Sequence, residues 1–227
     1  MQRFAPNQNA IRPCDEMRQH GRKIGFVRQI CGHRASLTSM GEKTTFSERV
    51  GQRANTLAEL GVSSLGGLYD LTARRLVRYA VTLTRNQHDA EDAVQIVLVR
   101  VAARPKLLAS AKCPWSYLLR MVRNEALGVM RRRKRWSLFS NLADLFTHRL
   151  VDEVELEDTH RAVWKALRQL PTEQAEVVVL KIWEEATFAE IGEVLEISPN
   201  TAASRYQYAM QKLSRQLTAM RPERCHD

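Results

Sequence analysis

Apolar residues recur at three- to four-residue spacing over two long stretches of the chain. Neither stretch alternates apolar and polar residues at the period of two that a half-buried strand requires. The first stretch runs from about Leu65 to Lys134. Leu76, Ala80 and Leu83 share one face. Asp89 is placed to cap the next helix, with Glu91 and Asp92 in its first turn, where the helix dipole favours acids. Ala90, Val94, Val97 and Val101 form the stripe of that helix, and Pro105 closes it. Pro114 opens a third helix, at a position where its missing N–H costs nothing. Trp115, Leu118, Leu119, Val122, Ala126 and Val129 make its apolar side, and it ends in the basic run Arg131 to Arg135.

The second stretch runs from about Thr159 to Leu217, punctuated by Pro171 and Pro199. Thr187 and Glu190 form a T-x-x-E capping box at the start of a short helix whose apolar side is Phe188, Ile191, Val194 and Leu195. Glu196 and Ile197 make a turn. Ser198 caps a long helix from about Pro199 to Leu217, with the proline at its first position. Ala202, Tyr206, Ala209 and Leu213 face inward; Asn200, Thr201, Ser204, Arg205, Gln207, Tyr208 and Lys212 lie on the polar side. A short helix, a tight turn and a second helix with polar first turns is a geometry the DNA major groove admits. In that reading Arg205 suits guanine or phosphate, Asn200 and Gln207 suit adenine edges, and Thr201, Ser204 and Lys212 suit phosphates. A packed helical hairpin with a wet polar face has the same spacing, so this pattern alone leaves both readings open.

These patterns divide the chain. Residues 1–60 show weak periodicity and few large apolar residues in register. They are expected to be a disordered extension, of which the part before Met40 is an artefact if translation starts at Met40. Residues 61–135 form one helical domain, 136–158 a linker, 159–220 a second helical domain and 221–227 a tail. The linker mixes Leu138, Phe139, Leu142, Leu145 and Phe146 with the acids Asp152, Glu153, Glu155, Glu157 and Asp158. The expected fold is all-α, with two small helical domains.

Composition narrows the function. The 227 residues carry a formal net charge of +10, and a basic excess of this size fits a polyanionic partner, usually nucleic acid. Cys14, Cys31, Cys113 and Cys225 lack the close spacing of a zinc or redox motif, and even with His33 beside Cys31 and His226 beside Cys225 they are expected to be ordinary free thiols. No metal and no cofactor are expected. No run of about 20 apolar residues offers membrane insertion, and the basic N-terminus lacks the apolar core of a secretory signal.

Two blocks of residues resemble the extracytoplasmic-function (ECF) group of the RNA polymerase sigma-70 family. The C-terminal block is Leu170-Pro171, Val177 to Lys181, Thr187 to Gly192, Ile197 to Thr201, and Ser204-Arg205, similar to sigma region 4. The N-terminal block is Leu68-Tyr69, Asp89 to Gln95, Pro114 to Leu118, and Arg123-Asn124, similar to sigma region 2. Both occur in the family's order with a linker between.

The resemblance implies a cytoplasmic, nucleoid-associated protein that is not an enzyme. Its partners would be core RNA polymerase, promoter DNA and an anti-sigma factor. Asp89, Glu91, Asp92, Gln95 and Leu98 would bind core polymerase, with Val97 adding apolar contact. Tyr117, Arg120, Arg123, Asn124, Arg131, Arg132 and Arg133 would contact the −10 element, together with the loop from about Arg104 to Cys113. Trp115 is assigned to the core. Asn200, Thr201, Ser204, Arg205, Gln207, Tyr208 and Lys212 would contact the −35 element. No catalytic residue is implied.

Three positions depart from the family pattern. Glu196 stands where glycine is usual in the turn, Gly192 where alanine is common, and Ile96 where an acid usually follows the glutamine. A stand-alone helix-turn-helix regulator acting without polymerase is the nearest rival, but it leaves the Asp89–Gln95 block unexplained. A nuclease using Asp89, Glu91 and Asp92 is a weaker rival, because those acids share one helix turn and no second acidic motif lies nearby in the sequence.

Overall fold

A computed structural model describes residues 44–137 and 158–219, with side chains over 44–133 and 162–217. Most of the expected N-terminal extension (Met40 included), most of the linker and the C-terminal tail lie outside the described residues. All regular structure among the described residues is helical.

The expected extension ends earlier than residue 60. Residues Phe46–Leu60 form helix α1, opened by a full capping box: Thr45 accepts from the Glu48 backbone N–H, and the Glu48 carboxylate accepts from that of Thr45. Val50, Ala54 and Leu57, spaced four and then three residues apart, are completely buried. Phe46 meets Trp115 edge-on with ring centroids 4.9 Å apart. Three buried residues on one face provide the apolar burial, although arginines and glycines are scattered around them.

A 3₁₀ turn over Gly61–Ser64 leads into α2 (Leu65–Thr84). Helix α3 (Gln87–Ala103) follows. Its N-cap is Asn86, whose side chain accepts from the Asp89 backbone N–H at 3.1 Å, so Asp89 sits in the first turn rather than at the cap expected for it. Pro105 both closes α3 and opens a short helix, α4 (Pro105–Ala109), inside the segment expected to be a loop. Helix α5 (Pro114–Ser137) starts on Pro114 as the sequence predicts. Helices α2, α3 and α5 pack on one another, while α1 packs against α2, α4 and α5. Leu68, Leu76, Leu83, Val97, Leu118 and Val122 are buried to within 1% in this core.

The second group comprises α6 (Asp158–Arg168), α7 (Thr172–Ile182), α8 (Phe188–Leu195) and α9 (Pro199–Ala219). Helix α9 packs on α6, α7 and α8. Every residue of α7 from Ala175 to Leu180 is buried. A helix buried all round needs neighbours on opposite sides, and α7 has them: α9 on one, α2 of the first group on the other. Helix α8 likewise touches α5. The two helical groups therefore lie against each other within one compact unit.

Candidate nucleic-acid interface

The helix-turn-helix is built from local caps. In α8 the Thr187 hydroxyl accepts from the Glu190 backbone N–H at 3.2 Å, and the Glu190 carboxylate accepts from the Thr187 N–H at 2.7 Å. Glu196 ends the helix in the left-handed region (φ 59°, ψ 44°), the conformation its family glycine would adopt without cost. The chain then folds back so closely that the Ile197 N–H donates to the Gly192 carbonyl at 3.1 Å. A Cβ on Gly192 would stand 2.7 Å from the Ile197 carbonyl oxygen, closer than real Cβ atoms approach. The two departures from the family pattern thus meet in one turn. Ser198 accepts from the Thr201 N–H at 3.1 Å and caps α9.

Beyond that cap Asn200, Thr201, Ser204, Gln207, Tyr208 and Lys212 are exposed on one side of α9, and Ala202, Tyr206, Ala209 and Leu213 are buried on the other. Arg205 differs: it is partly buried and its guanidinium pairs with Glu173 of α7 at 2.8 Å.

On α5, Arg120, Asn124, Arg131, Arg132 and Arg133 are exposed, and Trp115 is 5% exposed, in the core as expected. The Arg120 guanidinium lies 5.7 Å from the partly buried Tyr117 ring. A cavity of about 370 Å³ opens between the α4–α5 segment and α8; Leu107, Lys112, Cys113, Tyr117 and Arg120 line one wall and Glu193 of α8 the other. Arg132 and Arg100 share the buried carboxylate of Glu125 at 3.1 and 2.8 Å. Arg133 reaches Asp89 at 3.3 Å, which links a residue expected on the DNA face to one expected on the polymerase face.

Along α3 the Glu91 carboxylate accepts from Gln87 at 2.6 Å, Asp92 lies 3.6 Å from His88, and Gln95 is exposed. Leu98 and Val97, expected to add apolar contact to a partner, are 5% and 0% exposed and belong to the core. The stripe Val94, Val97, Val101 turns Leu98 inward with it. One residue further, a rotation of roughly 100°, Val99 is 67% exposed and is the apolar side chain this face offers.

Arg123 is not on an open face. Its Nε donates to Glu176 of α7 at 2.9 Å, and the Tyr79 hydroxyl donates to the same carboxylate oxygen at 3.4 Å. Burial pushes the Glu176 carboxyl up from its usual value despite the opposing pull of Arg123 and Tyr79, and it pushes the Tyr79 phenol well up. Nearby, Glu184, with no side-chain surface exposed, takes Arg78 at 2.7 Å and Arg75 at 3.4 Å. Burial lowers Arg75 from its ordinary value, while Glu184 supports its charge. Sequence reasoning missed both carboxylates. Their only signal is an acid at each flank of the stretch Val177 to Trp183, apolar except for Lys181, and nothing local names a partner about 50 to 110 positions away.

Among the described residues no three His, Cys, Asp or Glu side chains gather as a metal site. Cys14, Cys31, Cys225, His33 and His226 lie outside them. No described helix is long and apolar enough to cross a membrane.

Comparison with known proteins gives these surfaces their family. Residues 68–136 match the family model for sigma-70 region 2, and residues 160–213 match that for sigma-70 region 4. The ECF RNA polymerase sigma factor SigL of Mycobacterium tuberculosis is 27% identical over 164 residues, which is 71% of this chain and 93% of that protein. RNA polymerase sigma-E factor of Streptomyces coelicolor is 28% identical over 185 residues, covering 79% and 90%. In fold, the chain resembles the sigma factor RpoE of Bartonella quintana, solved with the anti-sigma factor NepR (TM-score 0.59, 22% identity, 70% and 100% covered). It also resembles CnrH, solved with the cytosolic domain of CnrY (TM-score 0.53, 22% identity, 75% and 98% covered). The match to region 2 accounts for the Asp89–Gln95 block that a stand-alone regulator leaves unexplained. With both regions present in order over more than half of its length, the chain belongs to the sigma-70 family of RNA polymerase sigma factors, in its extracytoplasmic-function group.

Proposed function

We propose that this sigma factor holds a promoter at two places and core polymerase at a third, with its side chains divided as follows. A sigma factor joins core RNA polymerase and directs promoter recognition and strand opening. Asp89, Glu91, Asp92 and Gln95 on α3, with Val99 in place of Leu98, form the polymerase face. The first turns of α9 (Asn200, Thr201, Ser204, Gln207 and Tyr208) enter the major groove at −35, with Arg205 and Lys212 near phosphates. Tyr117, Arg120, Arg123 and Asn124 meet the −10 strand. The cavity beside Tyr117 receives an unpaired base, and Arg131 to Arg133 lie along the backbone. Opened bases need a shaped pocket or an aromatic face, and the backbone needs cations.

Strand opening then draws on binding energy alone, so no nucleophile, metal or cofactor takes part and the protein is not an enzyme. It works in the cytoplasm on the nucleoid. An anti-sigma factor is the expected regulator, as NepR is for the solved neighbour RpoE.

The observation that carries this reading is the exposed polar row at the start of α9, held out by the Ser198 cap and the tight Gly192–Ile197 turn. Run-off transcription with purified core polymerase on a promoter library tests it. A defined start site that appears only with this protein is the expected result, and failure both to bind core and to direct a start overturns it. The double substitution Asp92→Ala with Gln95→Ala should weaken core binding while region 4 stays folded.

A further inference from the structure

Helices α1 and α2 pack together and present a group of arginines that none of the surfaces described above uses. Arg49 and Arg53, one turn apart on α1, are exposed, and so is Arg74 on α2. The Arg49 guanidinium lies 5.6 Å from the centre of the Phe46 ring, and that of Arg75 lies 3.7 Å from the same centre. Arg53 rests against α2 where Gly67 leaves room: a Cβ there would stand 3.0 Å from its Nη1. The positive charges crowd one another. Burial is the main cause that lowers Arg75, and the like charges of Arg78 and Arg49 lower it further. Arg75 and Arg78 share the Glu184 carboxylate, but among the described residues no acid pairs with Arg49, Arg53 or Arg74. The acids of α1 serve elsewhere: Glu48 accepts from the Thr45 N–H, and Glu59 is turned from the arginine row by roughly 80–120°. Asp70 is exposed one turn before Arg74 without pairing with it.

We propose that the face of α1 and α2 bearing Arg49, Arg53 and Arg74 is a further DNA-binding surface, which carries the phosphate backbone of the promoter where it leaves the N-terminal end of α5. The inference rests on the assignment of α5 to the −10 strand made above. It adds a grip beyond the −10 and −35 contacts, built from a helix that precedes both matched family regions.

Three observations select this partner. Exposed guanidinium groups without acids of their own fit an external anion, and a guanidinium pairs with phosphate through charge-assisted hydrogen bonds. Stacking on Phe46 orients the Arg49 and Arg75 guanidinium planes, which leaves less freedom to lose when an anion binds. The face also adjoins the −10 helix: Phe46 meets Trp115, the second residue of α5, at 4.9 Å. The basic run Arg131 to Arg133 stands roughly 25 Å further along that helix. Cations therefore lie at both ends of α5, as a backbone running the length of the helix requires. An acidic protein segment would meet the same charge, but the exposed neighbours Gln52 and Asn55 on α1 are polar. A wet, polar and positive face suits DNA, whereas the centre of a protein interface is apolar.

The experiment measures binding of the full-length chain, without polymerase, to a short mixed-sequence duplex labelled with fluorescein, by anisotropy across a salt series. Circular dichroism reads folding. Arg49→Gln with Arg53→Gln should make the slope of log affinity against log salt shallower by about 1.8, so that the affinity lost between about 50 and 200 mM salt is roughly tenfold smaller than in wild type. Arg74→Gln, which disturbs no ring contact, should make it shallower by about 0.9. Arg49→Lys with Arg53→Lys should keep the wild-type slope. A charge-matched control, Lys165→Gln with Arg168→Gln on α6, should also keep it. An unchanged slope in the Arg49 and Arg53 glutamine pair overturns the proposal, and so does an equal change in the control, which would reduce the effect to bulk charge. Weaker binding to core polymerase with an unchanged DNA slope gives the face to a protein and overturns it as well. With holoenzyme on a selected promoter, neutral methylphosphonate links in the backbone beyond the −10 element, on the side of the α5 N-terminus, should erase the difference between wild type and the glutamine pair; a difference that survives them overturns the placement. Non-specific binding by the free chain needs no polymerase, whereas the sigma assignment fails by absence of a defined start site, so the two readings fail independently.

Discussion

Gly192 and Glu196 place opposite demands on one turn. At Gly192 the obstacle is space: an added methyl meets the Ile197 carbonyl oxygen at 2.7 Å, a backbone atom that cannot swing aside. Gly192→Ala should destabilise region 4 by about 1–3 kcal/mol, the range for overpacking a tight contact, read as a lower urea midpoint and weaker −35 binding. At Glu196 the obstacle is conformation. A non-glycine residue at φ 59° carries about 1–2 kcal/mol, whereas glycine carries about 0.5–1 kcal/mol of extra unfolded-state entropy. Glu196→Gly should therefore raise stability by up to about 1 kcal/mol; a lower melting temperature would refute this account of the turn.

Glu176 adds a pH dependence. Burial raises its carboxyl in the folded chain, so its favourable contribution is present below the unfolded carboxylate range and is lost as pH rises through the raised value. Glu176→Gln stays neutral throughout. Its stability relative to wild type should grow as pH rises from the ordinary carboxylate range through the raised value, measured by thermal melts. A constant difference across that window would exclude Glu176 as the source. Sequence reasoning had Gly192 and Glu196 in view because they interrupt a local pattern. It had no view of Glu176, whose behaviour comes from Tyr79 and Arg123 across the interface.

At the scale of elements, short-range capping chemistry decided where helices begin. The Thr187–Glu190 box and the Ser198 cap stand where the sequence predicts them. Ser198→Ala should cost about 1 kcal/mol and loosen the first turn of α9, seen as faster amide exchange at Thr201, whose N–H the hydroxyl accepts; unchanged exchange there would refute the cap. The same chemistry also opens α1 at Thr45 and Glu48, in a stretch where weak overall periodicity hid it. Asp89 shows the reverse error. An acid near a helix start serves a cap or a first turn equally well, and Asn86 three residues earlier takes the cap. Leu98 and Val99 differ by one position on α3, and the rest of the stripe determines which faces inward.

At the scale of the whole molecule, α1 is part of the region 2 fold. It covers Trp115 with Phe46 and buries Val50, Ala54 and Leu57 completely. A chain beginning at residue 61 should lose several kcal/mol, since truncating even one buried leucine costs about 2–5 kcal/mol. Thermal unfolding checks this, and an unchanged melting temperature would show that α1 is dispensable. The packing of α7 against α2 and of α8 against α5 brings the two expected helical domains into contact within one compact unit. It also moves Arg123 from an open face to a buried carboxylate.

The sequence by itself determined the helical class, the order of regions 2 and 4, the caps of the helix-turn-helix and the polar row on α9. The order of the regions follows from resemblance to the family; the rest arise from hydrogen bonds and side-chain periodicity within a few residues of one another. Only the tertiary structure decided that α1 is part of the core, that Leu98 is buried while Val99 is exposed, and that region 4 places Glu176 and Glu184 against the arginines of region 2. These outcomes depend on which surfaces meet across long sequence separations, where burial and charge pairing act through neighbours that no local pattern names.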